Sequence, residues 1–418
     1  MTYHNAVKFI KSSPEAVHSP QPFDRIKRLC DALGNPEKRI KYLRLAGSNG
    51  KTVCAEMLMS ALSHSSISAG CLFMPLRDDI RENIRIGADN LSIDEVSFYI
   101  SKIHDAIVEI RKKDVENDSY TDIFTPTRSE ILLAFALMIF NDKHCSLCII
   151  EGDHNGDDPS KFLPPPFAAI ICGTIPSGDR HEITRIQSYI TKGIHEIISA
   201  PQDKTAFGVI SATCASVNCR LSIPSKASMS VTSCTLGGTT FSYKGKEYSM
   251  RLCGRFQLSN AEVALETVEM LIRRGFSITY EDAKKGLSSI RLKSKFEILS
   301  LNPIIIADST HKAVAISTVC DSLLDFKSLT GNKICLCLPE GQIVGEYISS
   351  LEERGYNIQR IFTTASHSED PLIFPCPTPK AMAKEALSFT SSDMILLISG
   401  QYDFTDKLRH EILAKLNF

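Results

Sequence analysis

Tyr42-Leu43-Arg44-Leu45-Ala46-Gly47-Ser48-Asn49-Gly50-Lys51-Thr52 is the stretch that decides the fold. An apolar segment runs straight into a glycine turn, and the turn opens a helix-like run from Val53 to Leu62. Strand, glycine turn, Lys-Thr and helix is the layout of a phosphate-binding loop. Glycines let the backbone come close to phosphate oxygens, and successive N–H groups and the helix N-terminus then face the anion. In such a loop Lys51 reaches the β- and γ-phosphates and the Thr52 hydroxyl sits on Mg²⁺. The general pattern also asks for a glycine five residues before Gly50, where this chain has Leu45. A plain glycine turn ahead of a core helix is therefore the competing reading.

Working outward, residues 1–40 read as helical and charged, ending near Asn35-Pro36. Gly70–Phe73 reads as a second short strand, and helical patterns follow at Ile93–Lys112 and Ser129–Asn141. Ser146–Ile150 and Ala168–Cys172 read as buried strands. Strands alternating with helices imply an α/β fold with a parallel sheet. Ligands on such sheets bind beyond the carboxyl ends of the strands, so the residues after Ala46, Ile150 and Cys172 are the ones to inspect. A β-rich patch is expected from about Phe207 to Met250, with a hairpin cue at Tyr243-Lys244-Gly245-Lys246-Glu247-Tyr248. Strand-like Ile304–Ile306, Ile334–Leu338, Ile361–Thr363 and Met394–Ile398 then alternate with helices. The expected division is a P-loop ATP-binding domain over 1–294 and a smaller C-terminal α/β domain over 295–418.

The chain has 418 residues, enough for two or three domains with buried cores. Its 47 Lys and Arg nearly balance its 48 Asp and Glu, which argues against a dedicated nucleic-acid or membrane-surface binder. No apolar run approaches the length of a membrane span. The N-terminus lacks a basic segment followed by an apolar stretch, so no signal peptide is expected. Fourteen cysteines then read as reduced thiols in a cytoplasm. Cys145 and Cys148 form a C-x-x-C inside an apolar run with no second pair at zinc spacing, and core packing is the simpler reading.

The chain resembles the folylpolyglutamate synthase and dihydrofolate synthase family of the Mur ligase superfamily. The family's G-T-N-G-K loop is similar to Gly47–Thr52, and its E-R-I-R-I stretch to Glu82-Asn83-Ile84-Arg85-Ile86. Its T-x-F-E helix start resembles Thr127-Arg128-Ser129-Glu130, and its strand ending in a magnesium-binding glutamate resembles Cys148-Ile149-Ile150-Glu151. Lys192-Gly193-Ile194 resembles the K-A-G-I element with its carbamylated lysine. The adenine-side G-x-x-Q-x-x-N-A resembles Gly254–Ala261, and D-x-A-H-N resembles Asp308-Ser309-Thr310-His311-Lys312. Ser399-Gly400 near the last strand also fits.

The resemblance implies a Mur ligase-like fold and an ATP-dependent amide ligase. Such an enzyme activates a carboxylate as an acyl phosphate and adds an amino acid, with glutamate expected and a folate as one acceptor. It implies ATP and Mg²⁺, with Gly47, Ser48, Asn49, Gly50, Lys51, Thr52, Gln257, Asn260, Lys295 and Asp308 binding nucleotide. Thr52, Glu151 and His181 would hold metal, and Lys51, a carbamylated Lys192 and His311 would serve catalysis. Asp308 and His311 would come from the second domain, with a hinge near Lys293–Glu297. A monomer acting on small molecules is expected, without nucleic acid or membrane.

Several positions depart from the family. Met74 stands where a metal-binding serine is expected, and methionine is a poor magnesium ligand. The family's magnesium-binding D-H pair falls on Pro176-Ser177, with Asp179-Arg180-His181 close by. Gly152–Pro159 replaces a glycine-rich segment, and Lys293-Ser294-Lys295 replaces P-G-R, leaving Lys295 in place of a bidentate arginine. The rival reading is a non-catalytic ATP-binding relative acting through a partner, or a ligase for a non-folate acceptor.

Overall fold

The computed structural model describes residues 1–15, 23–47, 49–74, 76–77, 79–116, 123–152, 158–310, 313–341 and 343–416. The chain divides into two compact units: Met1–Ser225 with Asn260–Gly286, and Lys226–Ser259 with Leu287–Phe418.

The first unit is built on an eight-stranded sheet. Its strands are β1 (Tyr42–Ala46), β2 (Ala69–Leu72), β3 (Ile84–Ile86), β4 (Asp89–Asn90), β5 (Leu147–Glu151), β6 (Ala168–Ile171), β7 (Glu196–Ser199) and β8 (Arg220–Ser222). Their order across the sheet is β4-β3-β2-β5-β1-β6-β7-β8. The six strands from β2 to β8 in that order run parallel, and β3 and β4 add an antiparallel edge. The five strands β1, β2, β5, β6 and β7 are buried at every position, as expected for parallel strands covered on both faces. The helix Lys51–Ser63 carries apolar residues around most of its circumference and buries ten residues, all apolar except Lys51 and Glu56. It lies so close to the helix Tyr280–Ser289 that a Cβ on Gly286 would sit 2.5 Å from the Ala61 nitrogen. Thr127 and Glu130 form a reciprocal capping box that starts the buried helix Arg128–Asp142.

The expected β-rich patch does not begin at Phe207. Lys204–Ser216 is a helix, capped by Asp203, whose side chain accepts from the Ala206 N–H. Its Ser, Thr and Val content reads as strand, but Ala206, Ile210 and Cys214 recur at four-residue spacing and face inward.

The second unit holds two sheets. One is the antiparallel set β9 (Met229–Thr235), β10 (Gly238–Tyr243) and β11 (Lys246–Met250). The hairpin expected at Tyr243–Tyr248 is present, and Lys244 and Gly245 take positive φ of 48° and 75° at its tip. The other sheet comprises β12 (Lys295–Leu301), β13 (Ile304–Asp308), β14 (Lys333–Leu338), β15 (Asn357–Thr363), β16 (Ile373–Pro375) and β17 (Ile395–Ser399), ordered β12-β13-β17-β14-β15-β16. All its pairs are parallel except β12 with β13. The three-stranded sheet, expected inside the first domain, groups with the second unit. Arg255 holds Asp325 through Nε and Nη2, at 3.0 and 2.7 Å to one oxygen, and Cys253 is part of the same core cluster as Phe296 and Phe326. No helix among the described residues is long and apolar enough to cross a membrane. All fourteen cysteines are free, and Cys148 of the C-x-x-C is buried in β5.

Candidate active site

The central strands bring three segments to one edge. Leu45 is in register with Glu151 on β5, and Ala46 with Ile171 on β6. The glycine turn after β1 therefore lies between Glu151 and the Cys172-Gly173 turn, at the carboxyl edge where such sheets bind ligands.

Two glycines make that turn possible. Gly47 has φ of 120°, and a Cβ there would lie 2.1 Å from the Cys172 carbonyl oxygen. Gly50 caps the helix Lys51–Ser63 with φ of 80°, and a Cβ there would meet Asn260 Oδ1 at 2.3 Å. The backbone alone fits both places. Gly173 closes the other side, where a Cβ would lie 2.9 Å from the Asn49 carbonyl oxygen. Gly173 belongs to the loop singled out after Cys172, yet nothing in its own sequence context marks the contact.

Lys51 is buried at 5% exposure and donates from Nζ to the Gly47 carbonyl at 2.8 Å, which folds its amine over the loop. Thr52 Oγ1 donates to Glu151, at 2.9 Å to Oε1 and 3.2 Å to Oε2. The Met74 N–H approaches Glu151 Oε2 at 3.4 Å. Glu151 is 3% exposed, and burial pushes its carboxyl above the usual carboxylate range. The Lys51 charge, the Thr52 bond and the Arg77 charge pull the other way. A buried carboxylate oxygen and an adjacent hydroxyl are hard oxygen donors. They fit magnesium, which keeps several waters and needs few protein ligands beside substrate phosphates. Burial raises the cost of the ionised form, and a divalent cation offsets that cost.

The other expected site residues fall in different places. Asn260 is buried against Gly50, at the loop itself. Gln257 is buried in the second unit, where its Nε2 reaches the Lys295 carbonyl at 3.4 Å. Lys295 begins β12 and donates from Nζ to Ser309 Oγ at 2.9 Å. Asp308 ends β13 and is buried. His181 is exposed in the first turn of the helix Arg180–Gln187. Among the described residues no group of three or more His, Cys, Asp and Glu could hold a metal ion. Lys192 is exposed in the turn leading into β7, where a Cβ on the neighbouring Gly193 would touch Pro165 ahead of β6. That is the amino edge of the parallel sheet, a strand's length from the glycine turn. Ser48 and His311 lie outside the described residues, as does most of Gly152–Pro159.

No family model matches the chain. Curated relatives do. The folylpolyglutamate synthase of Lacticaseibacillus casei is 22% identical over 339 residues, covering 77% of each chain. The dihydrofolate synthase/folylpolyglutamate synthase of Bacillus subtilis is 24% identical over 319 residues, covering 72% of this chain and 71% of that one. A probable bifunctional folylpolyglutamate synthase/dihydropteroate synthase of Halobacterium salinarum is 24% identical over 344 residues, which span 78% of this chain and 40% of that longer protein. A solved folylpolyglutamate synthase complex with AMPPCP and folate shares the fold at a TM-score of 0.81, with 18% identity and 99% of this chain covered against 100% of that one. Relatives of that name match along most of the chain, and the solved folylpolyglutamate synthases share its α/β fold.

Proposed function

We propose that the protein is an ATP-dependent carboxylate–amine ligase that adds glutamate to a folate-type acceptor. The observation that carries the reading is the buried Thr52–Glu151 pair beside a glycine turn whose lysine is folded over it. The family's named activities support the acceptor and the amino acid.

In the reaction, an acceptor carboxylate oxygen attacks the γ-phosphorus of ATP, the bond to the β–γ bridging oxygen breaks, and ADP leaves. The amine nitrogen then attacks the acyl carbon, the carbon–oxygen bond to phosphate breaks, and the amine gives up a proton. Phosphoryl transfer asks the protein for positioning and charge neutralisation more than for covalent help. Lys51 and the turn's N–H groups are suited to hold the phosphate oxygens. Thr52 and Glu151 are suited to hold magnesium, which when bound neutralises phosphate charge. Asn260, seated against Gly50, would keep the turn open to the nucleotide.

The test is ADP release from Mg-ATP with glutamate, with and without dihydropteroate or tetrahydrofolate, with Lys51→Ala as control. The expected outcome is acceptor-dependent turnover and a product heavier by one glutamate. Tight ATP binding without turnover on either acceptor would sink folate ligation and favour the non-catalytic reading.

A further inference from the structure

Phe73, Met74 and Arg77 leave the carboxyl end of β2, and the register of Leu72 with Ile150 sets them beside Glu151. Asn83 braces this turn. It is fully buried, donates from Nδ2 to the Phe73 carbonyl at 2.8 Å and accepts the Arg77 N–H at 2.9 Å. The Arg77 guanidinium lies over the buried Phe73 ring, its Cζ 4.4 Å from the centroid. Its nearest carboxylate among the described residues is Glu56 on the helix Lys51–Ser63, 3.9 Å from Nη2, which is beyond hydrogen-bond length. Glu56 already has its partner, because Arg85 grips it through both Nη1 and Nη2, the latter at 3.2 Å. Among the described residues the guanidinium of Arg77 donates no hydrogen bond, although it offers five N–H donors in a fixed fork. Its side chain keeps 19% exposure, so the fork is reachable.

We propose that Arg77 binds the phosphoryl group in transit from nucleotide to acceptor, an inference that rests on the ligase function above. The contact with the Phe73 ring holds the guanidinium in place before any ligand arrives, which limits the ordering cost of binding. The turn that carries Arg77 also sends the Met74 N–H to Glu151, so one short segment touches the proposed magnesium ligand and carries a cation whose charge acts on it. A planar fork matches phosphate oxygens, and the charge that grows on them during transfer strengthens the contact. Phosphate is favoured over the acceptor carboxylate because Glu151, Thr52 and Lys51, the groups suited to the terminal phosphates, gather at this same edge. Arg77 also acts on Glu151 itself, since its charge is among those that oppose the upward push of burial on that carboxyl.

The experiment is calorimetric titration of wild type, Arg77→Gln and Arg77→Lys with Mg²⁺ and either a non-hydrolysable ATP analogue or ADP. Arg77→Gln is expected to weaken the triphosphate by about 10- to 100-fold while ADP affinity stays within about twofold. Arg77→Lys falls between, since it keeps charge without the fork. The melting temperature of both variants stays at the wild-type value. Equal losses for both nucleotides, no loss, or a loss confined to acceptor binding would each overturn the assignment. Wild type that binds neither nucleotide would overturn the ligase reading itself, an outcome visible before any variant is titrated.

Discussion

Glu151 and Asp308 are alike in every respect that sequence reports and differ in the one that matters. Each ends a buried parallel strand, one in each unit, and each is 3% exposed or less. Burial pushes both carboxyls above the usual range, and a lysine, Lys51 or Lys295, pulls each back. Their hydrogen bonds diverge. Glu151 accepts one side-chain hydroxyl and a single long amide contact, which leaves lone pairs for a cation. Asp308 spends both oxygens on the backbone, accepting the Phe296 N–H at 2.8 Å and the Thr310 N–H at 2.9 Å. Phe296 has φ of 55°, an uncommon conformation for a bulky side chain, and Asp308 pins it there. One carboxylate is poised as a ligand and the other clasps the start of β12.

The largest effect should come from Glu151→Gln. Turnover is expected to fall by about 100- to 1,000-fold, while the melting temperature at neutral pH stays level or rises. Because the folded carboxyl is raised, its contribution to stability is present below the ordinary value of 4.5 and is lost as pH rises through the folded value. Melting curves across pH should show the Gln variant gaining on wild type as pH increases. A variant that is active, or that loses ground as pH increases, would break the ligand assignment.

Asp308→Asn should do the reverse. One backbone N–H would face an amide NH₂, costing about 1–3 kcal/mol by denaturant titration. Unchanged stability with a loss of ATP affinity would instead make Asp308 a nucleotide contact and dissolve the contrast. Gly50→Ala comes next, at about 1–2 kcal/mol for the left-handed backbone plus the clash with Asn260. Adding Asn260→Ala should recover the clash and leave the backbone cost, which a double-mutant cycle measures. The acid limb of Mg²⁺-dependent nucleotide binding should lie above 4.5, because the raised Glu151 carboxyl must ionise to hold the ion. The smallest effect belongs to Lys192→Met, expected to change turnover less than about twofold, since Lys192 is exposed at the other edge of the sheet. A large loss there, with added mass on the lysine of wild type, would restore the carbamylated role.

Much of the site was legible because its signals are local. A glycine turn after an apolar run, and a glutamate ending another, each announce themselves within a few residues. The alternation of strand and helix placed both at the same edge before any register was known. The helix Lys204–Ser216 reads as strand in the sequence because its β-prone residues outweigh a four-residue spacing of inward positions. The grouping of β9–β11 with the second unit was illegible, since Arg255 meets Asp325 seventy residues downstream.

By itself the sequence determined the glycine turn after β1, the parallel strands and the carboxylates at their ends, because backbone conformation and burial leave periodic and positional traces. Only the tertiary structure decided that Gly50 must lack a side chain on account of Asn260, that Glu56 belongs to Arg85, and that, among the described residues, Arg77 is left with an unused fork. Those outcomes depend on which partners compete for the same donor or the same space. Partners brought together across long stretches of chain leave no mark in the residues on either side of them.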